Sequence, residues 1–194
     1  MFAELLTKRR SIREFSNAEI PRETVERLIW AGQGKSDDRG YRTAPSAHAL
    51  HPLRLFLTAG RVQGLEPGLY AVDPGSGDLQ LVHRRDVREK LEAAALGDQK
   101  WVEEAACIVS ICGDFVLPSK QFAEQPPFGR RGSRYVYLEA GASAQNMHLQ
   151  ATEDGLGAVL VAGINDEETS AALGIGVPIA PVLHMCFGAV GNDR

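Results

Sequence analysis

Three short stretches carry residue types able to hold a flat, polar-edged and anionic ligand. The first is Lys8-Arg9-Arg10-Ser11-Ile12-Arg13. Arg9, Ser11 and Arg13 alternate, so in an extended chain their side chains point the same way. Two planar guanidinium forks and a hydroxyl suit a phosphate and the hydroxyls of a polyol chain. The same residues also read as the solvated basic end of a helix over 2–9, favoured by its C-terminal dipole. The second stretch runs from Arg42 to Pro52, where Pro45 and Pro52 bracket Ser46, Ala47, His48 and His51. Such a loop offers backbone N–H groups and a hydroxyl to a ligand edge, or it is simply a turn into the next strand. His48 and His51 are candidates for proton transfer or for a substrate pocket. As a metal pair they lack an evident third ligand. The third stretch is Leu160-Val161-Ala162-Gly163, a strand end whose small residues leave backbone groups open to a ligand ring.

Around these stretches the hydrophobic periodicity lays out the elements that must position them. A short helix over 2–9 enters the basic segment. A second helix spans 22–34 behind Pro21, with Val25, Leu28, Ile29 and Gly32 on one face. Residues 53–59 read as a strand, and Tyr70 to Val82 as a hairpin turning at Asp73-Pro74-Gly75-Ser76-Gly77. Asp86 to Ala95 reads as helix. Ala105 to Cys112 is a near-continuous apolar run, which suits a central strand. Residues 115–133 hold three prolines and two glycines without clear periodicity, so a long loop or lid is expected. The longest helix is expected over 134–154, a strand over 157–163, a helix over 166–173 and a last strand over 181–190. Strands and helices mix without strict alternation, which predicts an α+β fold with a mixed, mostly antiparallel sheet.

A chain of 194 residues suits one compact domain over 1–194. The net charge of −4 makes nucleic acid and anionic membranes poor partners, so a basic cluster must serve a small ligand. Cys107, Cys112 and Cys186 sit among apolar neighbours at no metal-ligand spacing and read as buried reduced thiols. The N-terminus lacks the pattern of a signal peptide, and no apolar run is long enough to span a bilayer. A cytoplasmic location is the expectation.

Taken together, the stretches resemble the nitroreductase superfamily. The resemblance rests on Arg9-Arg10-Ser11-Ile12-Arg13, Pro45-Ser46-Ala47, Ala144-Gln145-Asn146 on the long helix, Gly155-Leu156-Gly157 and Ala162-Gly163. It covers roughly residues 5–191. Trp30-Ala31-Gly32-Gln33-Gly34, Pro67-Gly68-Leu69-Tyr70 and Leu138-Glu139-Ala140-Gly141 make it most similar to SagB-type dehydrogenases and their stand-alone relatives. The resemblance implies an intertwined homodimer with one FMN at each of two subunit-interface sites. Arg9, Arg10, Ser11 and Arg13 would bind the FMN phosphate and ribityl chain. Pro45, Ser46 and Ala47 would reach the isoalloxazine, in many members from the partner chain. Leu160, Val161, Ala162 and Gly163 would underlie the ring near N5. Gln145 and Asn146 would be structural, and Arg194 would add a phosphate contact.

The implied activity is two-electron reduction of a small flat acceptor, such as a quinone or nitroaromatic, with NAD(P)H or another donor. No protein nucleophile is required, since the cofactor carries the chemistry. An FMN carrier without turnover and a flavin-consuming oxygenase are the alternatives the same resemblance allows. His48 and His51 stand where relatives often carry Gly and Tyr. Pro127-Phe128 stands where peptide azoline dehydrogenases carry a catalytic Lys-Tyr pair, so azoline oxidation is not expected. Phe128 is instead expected in a substrate pocket, with Phe122 and Tyr135 as further aromatic candidates.

Overall fold

The computed structural model describes residues 2–191. In chain order the elements are α1 (Phe2–Lys8), α2 (Arg22–Gln33), β1 (Leu53–Ala59), β2 (Gly68–Val72), β3 (Leu79–His83), α3 (Arg88–Ala93), α4 (Trp101–Glu104), β4 (Cys107–Asp114), α5 (Val116–Gln121), α6 (Arg131–Glu153), β5 (Leu156–Val161), α7 (Asp166–Leu173) and β6 (Ile179–Ala189). The strands form one sheet in the order β3-β2-β1-β4-β6-β5. Every pairing between these strands is antiparallel. Parallel contacts occur as isolated bridges, Ser11 to Ala158 and Ile20 to Val62. The expected α+β class with a mostly antiparallel sheet is therefore what forms.

β4 lies near the middle of the sheet and is buried from Cys107 to Gly113, as its apolar run requires. Its alternate residues feed two cores. Cys107, Val109 and Ile111 face the larger one, which α2 and α6 cover. Ile108 and Cys112 face the smaller one under α3, α4 and α7. Burial pushes the Cys107 and Cys112 thiols up to about 12, so both remain unreactive thiols. Gly32 lets α2 approach α6, because a methyl there would collide with the Met147 side chain. The segment after β4 departs from expectation. It is not one long loop: Asp114 accepts the N–H groups of Val116 and Leu117 and starts α5, and α6 already begins at Arg131.

The antiparallel registers gather the start of β1, the end of β4, the start of β6 and the end of β5 at one end of the sheet. The loop before β1, the segment carrying α5 and the 160–163 stretch therefore leave the same end of the sheet, with β4 and β6 between the loop and 160–163.

The smaller core holds a polar pair, Ser110 Oγ and His184 Nδ1 at 2.9 Å. Nε2 of His184 has no partner among the described residues, and burial pulls the ring down to about 4. Between its ordinary value of 6.5 and about 4, the unfolded chain binds this proton and the folded chain does not. Stability is thus full above that window and falls as pH drops through it, by about 3 kcal/mol in all. His51 and His148, also pushed down by burial, add to the same slope. Denaturant melts at neutral pH and near pH 5 should show the loss, and His184→Leu should flatten part of the slope.

Candidate functional site

The basic segment begins where α1 ends. The Arg9 N–H still closes onto the Leu5 carbonyl at 2.8 Å. The Arg10 guanidinium then folds back onto the carbonyls of Thr7 and Arg9, both at 2.8 Å, and satisfies the helix end. Beyond it the chain extends along β5. Ser11 bridges Ala158, and the Ile12 N–H donates to the Ala158 carbonyl at 2.9 Å. Two glycines make this approach possible. A Cβ on Gly157 would meet Ile12 and Phe15 at 3.0 and 3.1 Å, and one on Gly188 would meet the Phe15 side chain at 2.8 Å. With Ile12 turned toward the sheet, Ser11 and Arg13 are exposed. The Arg13 guanidinium lies over the Trp101 ring, 5.4 Å from its centroid. The register is locked from α6, whose buried His148 uses Nε2 on the Arg10 carbonyl at 3.0 Å. A carbonyl only accepts, so Nε2 carries the proton. Burial holds this ring below its ordinary pKa, partly offset by that hydrogen bond.

The third stretch shares this edge. Ala158 turns its carbonyl outward to Ile12, so backbone alternation aims the polar groups of Leu160 and Ala162 to the same side. β5 itself stops at Val161, and Leu160, Ala162 and Gly163 are exposed. The Gly163 carbonyl accepts the Leu96 N–H at 2.8 Å, which fixes the strand end.

The proline-bracketed loop sits across the sheet end from that edge. Its backbone is tied to α6 and α2: Asn146 Nδ2 donates to the Thr43 carbonyl at 3.0 Å, and Arg42 to the Gln33 carbonyl at 2.7 Å. Ser46 Oγ accepts the His51 N–H at 2.8 Å, and Glu139 Oε1 accepts the Ala47 N–H at 2.7 Å. Ala47–Ala49 make a single 3-10 turn. The His48 ring meets Phe122 edge-on at 5.0 Å, and Phe122 packs on Tyr135 at 4.7 Å. Phe128 is not part of this cluster; it is 70% exposed on the turn before α6. Phe122, at the end of α5, is 2% exposed and fills the cluster instead. His51 is held below its ordinary pKa by burial and by the nearby Arg42 charge. Arg194 lies outside the described residues.

A cavity of about 380 Å³ opens elsewhere, between α2 and the β2–β3 turn, with Trp30, Lys35, Leu55 and Val72 among its walls. None of the predicted site residues lines it.

Residues 6–189 match the Nitroreductase family. The chain belongs to this family. A protein of Methanocaldococcus jannaschii named as a nitroreductase is 33% identical over 165 residues, spanning 85% of this chain and 80% of its own length. A crystal structure named as a nitroreductase, from Ralstonia eutropha, superposes with a TM-score of 0.82 at 25% identity, over 100% of this chain and 84% of that one. A chain of the E. coli microcin synthetase complex superposes with a TM-score of 0.78 at 23% identity, over 95% of this chain and 70% of its own. That last likeness shows the fold alone. As a nitroreductase-family member the chain is an oxidoreductase.

In this nitroreductase-family chain, the first and third predicted stretches are brought together and the second is not. α6 holds the loop at Glu139 and the basic segment at His148. These anchors are nine positions apart, roughly 14 Å along the axis and half a turn around it. Arg10 is drawn away from the group by its helix-capping role. The residues that sequence reading missed are the anchors themselves, Glu139 and His148. Both are buried, at opposite edges of the α6 stripe that holds Val136, Ala140, Ala144, Met147 and Ala151. Ionisable residues within an apolar helical stripe were the available signal.

Proposed function

We propose that the chain is an FMN-dependent oxidoreductase that takes electrons from NAD(P)H, or another donor, and reduces a small flat acceptor such as a quinone or nitroaromatic. The observation that carries this reading is the shared edge. The basic segment pairs with the edge of β5 at Ala158 through Ser11 and Ile12, and the strand runs on from there to the exposed Leu160, Ala162 and Gly163, an order that suits a phosphate followed by a ring. The donor set fits: two guanidinium groups and a hydroxyl for a phosphate, and backbone N–H groups for the ring edge. Bound FMN would supply the two-electron chemistry. Arg9 and Arg13 would neutralise its phosphate, and Ser11 would bond the phosphate or ribityl chain. Leu160 and Val161 would support the ring. Backbone groups at Ala162 and Gly163 would favour negative charge developing on it. His48 and His51, with the exposed Phe128, would wall the acceptor side, and Phe122 would back His48 from beneath.

The loop Pro45-Ser46-Ala47 would complete the site from a partner protomer. Within one protomer it stands across α6 from the basic segment. The outer face of α6 carries Tyr137 and Leu138, which are 58% and 63% exposed. Gly141 follows on the same face with open space around it, room for a second backbone. Two copies of α6 packed antiparallel there would set the loop of one against the basic segment of the other.

Azoline oxidation is not part of the proposal, because Pro127 and Phe128 offer no proton-transfer pair. The test is spectroscopic. Purified protein should show flavin absorption or take up added FMN, and anaerobic NADH or NADPH should bleach the band within minutes. A flavin that binds and does not bleach would favour a carrier. Loss of FMN during aerobic turnover would favour a flavin-consuming oxygenase. A colourless protein that refuses FMN would overturn the reading.

A further inference from the structure

The loop that precedes β1 has an unusual backbone. His48, Ala49 and His51 all lie in the left-handed region, with φ of 52, 53 and 48°. None is glycine, and each such residue costs about 1 kcal/mol or more from the clash of Cβ with the following carbonyl. Three within four positions persist only where the surroundings over-determine them.

The determinant is Glu139. It is 6% exposed, one of the buried polar residues of the protein, on the α6 face that buries Val136, Ala140 and Ser143. A carboxyl in such a place is costly unless it is bonded. Its Oε1 accepts the Ala47 N–H at 2.7 Å, and burial raises the carboxyl's pKa, an effect that this bond and the neighbouring Ser46 hydroxyl partly offset. Ser46 Oγ in turn accepts the His51 N–H at 2.8 Å. The carboxyl thus holds the start of the 3-10 turn at Ala47, and the adjoining Ser46 holds its far end at His51. Its other oxygen, Oε2, is buried and has no partner among the described residues. For packing alone, a leucine would serve this helix face better. One helical turn earlier, Tyr135 backs Phe122, which meets His48. α6 therefore grips the loop at two successive turns.

We infer that Glu139 is a positioning residue: it clamps residues 46–51 in the strained conformation in which the loop meets the flavin edge. The inference rests on the FMN reading above. Glu139→Gln keeps an acceptor for the Ala47 N–H, whereas Glu139→Leu keeps the volume and removes the acceptor. Titration of each purified full-length protein with FMN should find the Leu variant weakened about tenfold or more, as one unpaired buried amide implies. The Gln variant should stay within about threefold of the parent. Hydrogen exchange should show the amides of Ala47 and His51 losing protection in the Leu variant alone, while β4 amides keep theirs. If the Leu variant does not fold, Ser46→Ala should release the His51 amide while sparing β4. Unchanged FMN affinity and unchanged loop protection in the Leu variant would overturn the clamp, as would a Gln variant as impaired as the Leu one. If the parent protein binds no FMN, the cofactor reading falls while the exchange comparison still decides the clamp.

Discussion

Replacing Arg9 and Arg13 together by alanine is expected to weaken FMN binding about a hundredfold or more, since each charge-assisted bond to phosphate contributes roughly 1.5–3 kcal/mol. Riboflavin, which lacks the phosphate, should lose far less. The fold should be nearly indifferent, because Arg13 is exposed and Arg9 only half-buried. Removing the Arg13 guanidinium also gives up its stacking on the Trp101 ring, a modest term at an exposed site. Arg10→Ala makes the internal contrast. Its guanidinium is already spent on the Thr7 and Arg9 carbonyls, so this variant should loosen the end of α1 more than it weakens FMN. Titrations with FMN and riboflavin at low salt, beside a thermal melt, separate these effects. Equal losses for both ligands would place the arginines away from the phosphate.

Much of this arrangement is legible in the residues alone, for identifiable reasons. β1 reads to the residue from its apolar run behind Pro52. α7 does too, because Asn165 caps it by accepting the N–H groups of Glu167 and Glu168, and Gly174 ends it at a φ of 67°. Both signals are local. The helix α5 is hidden by its proline. Yet Pro118 falls in the first turn, where no helical N–H is needed, and Asp114 supplies the cap. At the candidate site, residue chemistry exposes the basic segment, the proline-bracketed loop and the strand end. What joins them is tertiary. That Gly157 and Gly188 clear a path for Ile12 and Phe15 depends on a pairing between residues far apart in the chain. So does the capture of Ala47 by a carboxyl on α6. Phe128 and Phe122 differ little as sequence; only the packing of α5 on α6 exposes one and buries the other.

The largest single effect is expected from Leu138→Arg. Leu138 is 63% exposed, beside Tyr137 and one turn before Gly141, on the outer face of the longest helix. Neither core claims it, and a solvated helix face gains nothing from two adjoining large apolar side chains. If this face is the two-fold contact, each protomer's Leu138 approaches the partner's α6, and a guanidinium there meets its own copy or an apolar surface. The variant should sediment as a monomer at micromolar concentration while keeping its helical circular dichroism. FMN retention should fall with it, because the loop held by Glu139 and the segment held by His148 would no longer be brought together across the interface. The two readouts must move as a pair. A monomer that still binds FMN with the parent's affinity would place the whole cofactor site within one protomer. A dimer that persists would move the interface off α6.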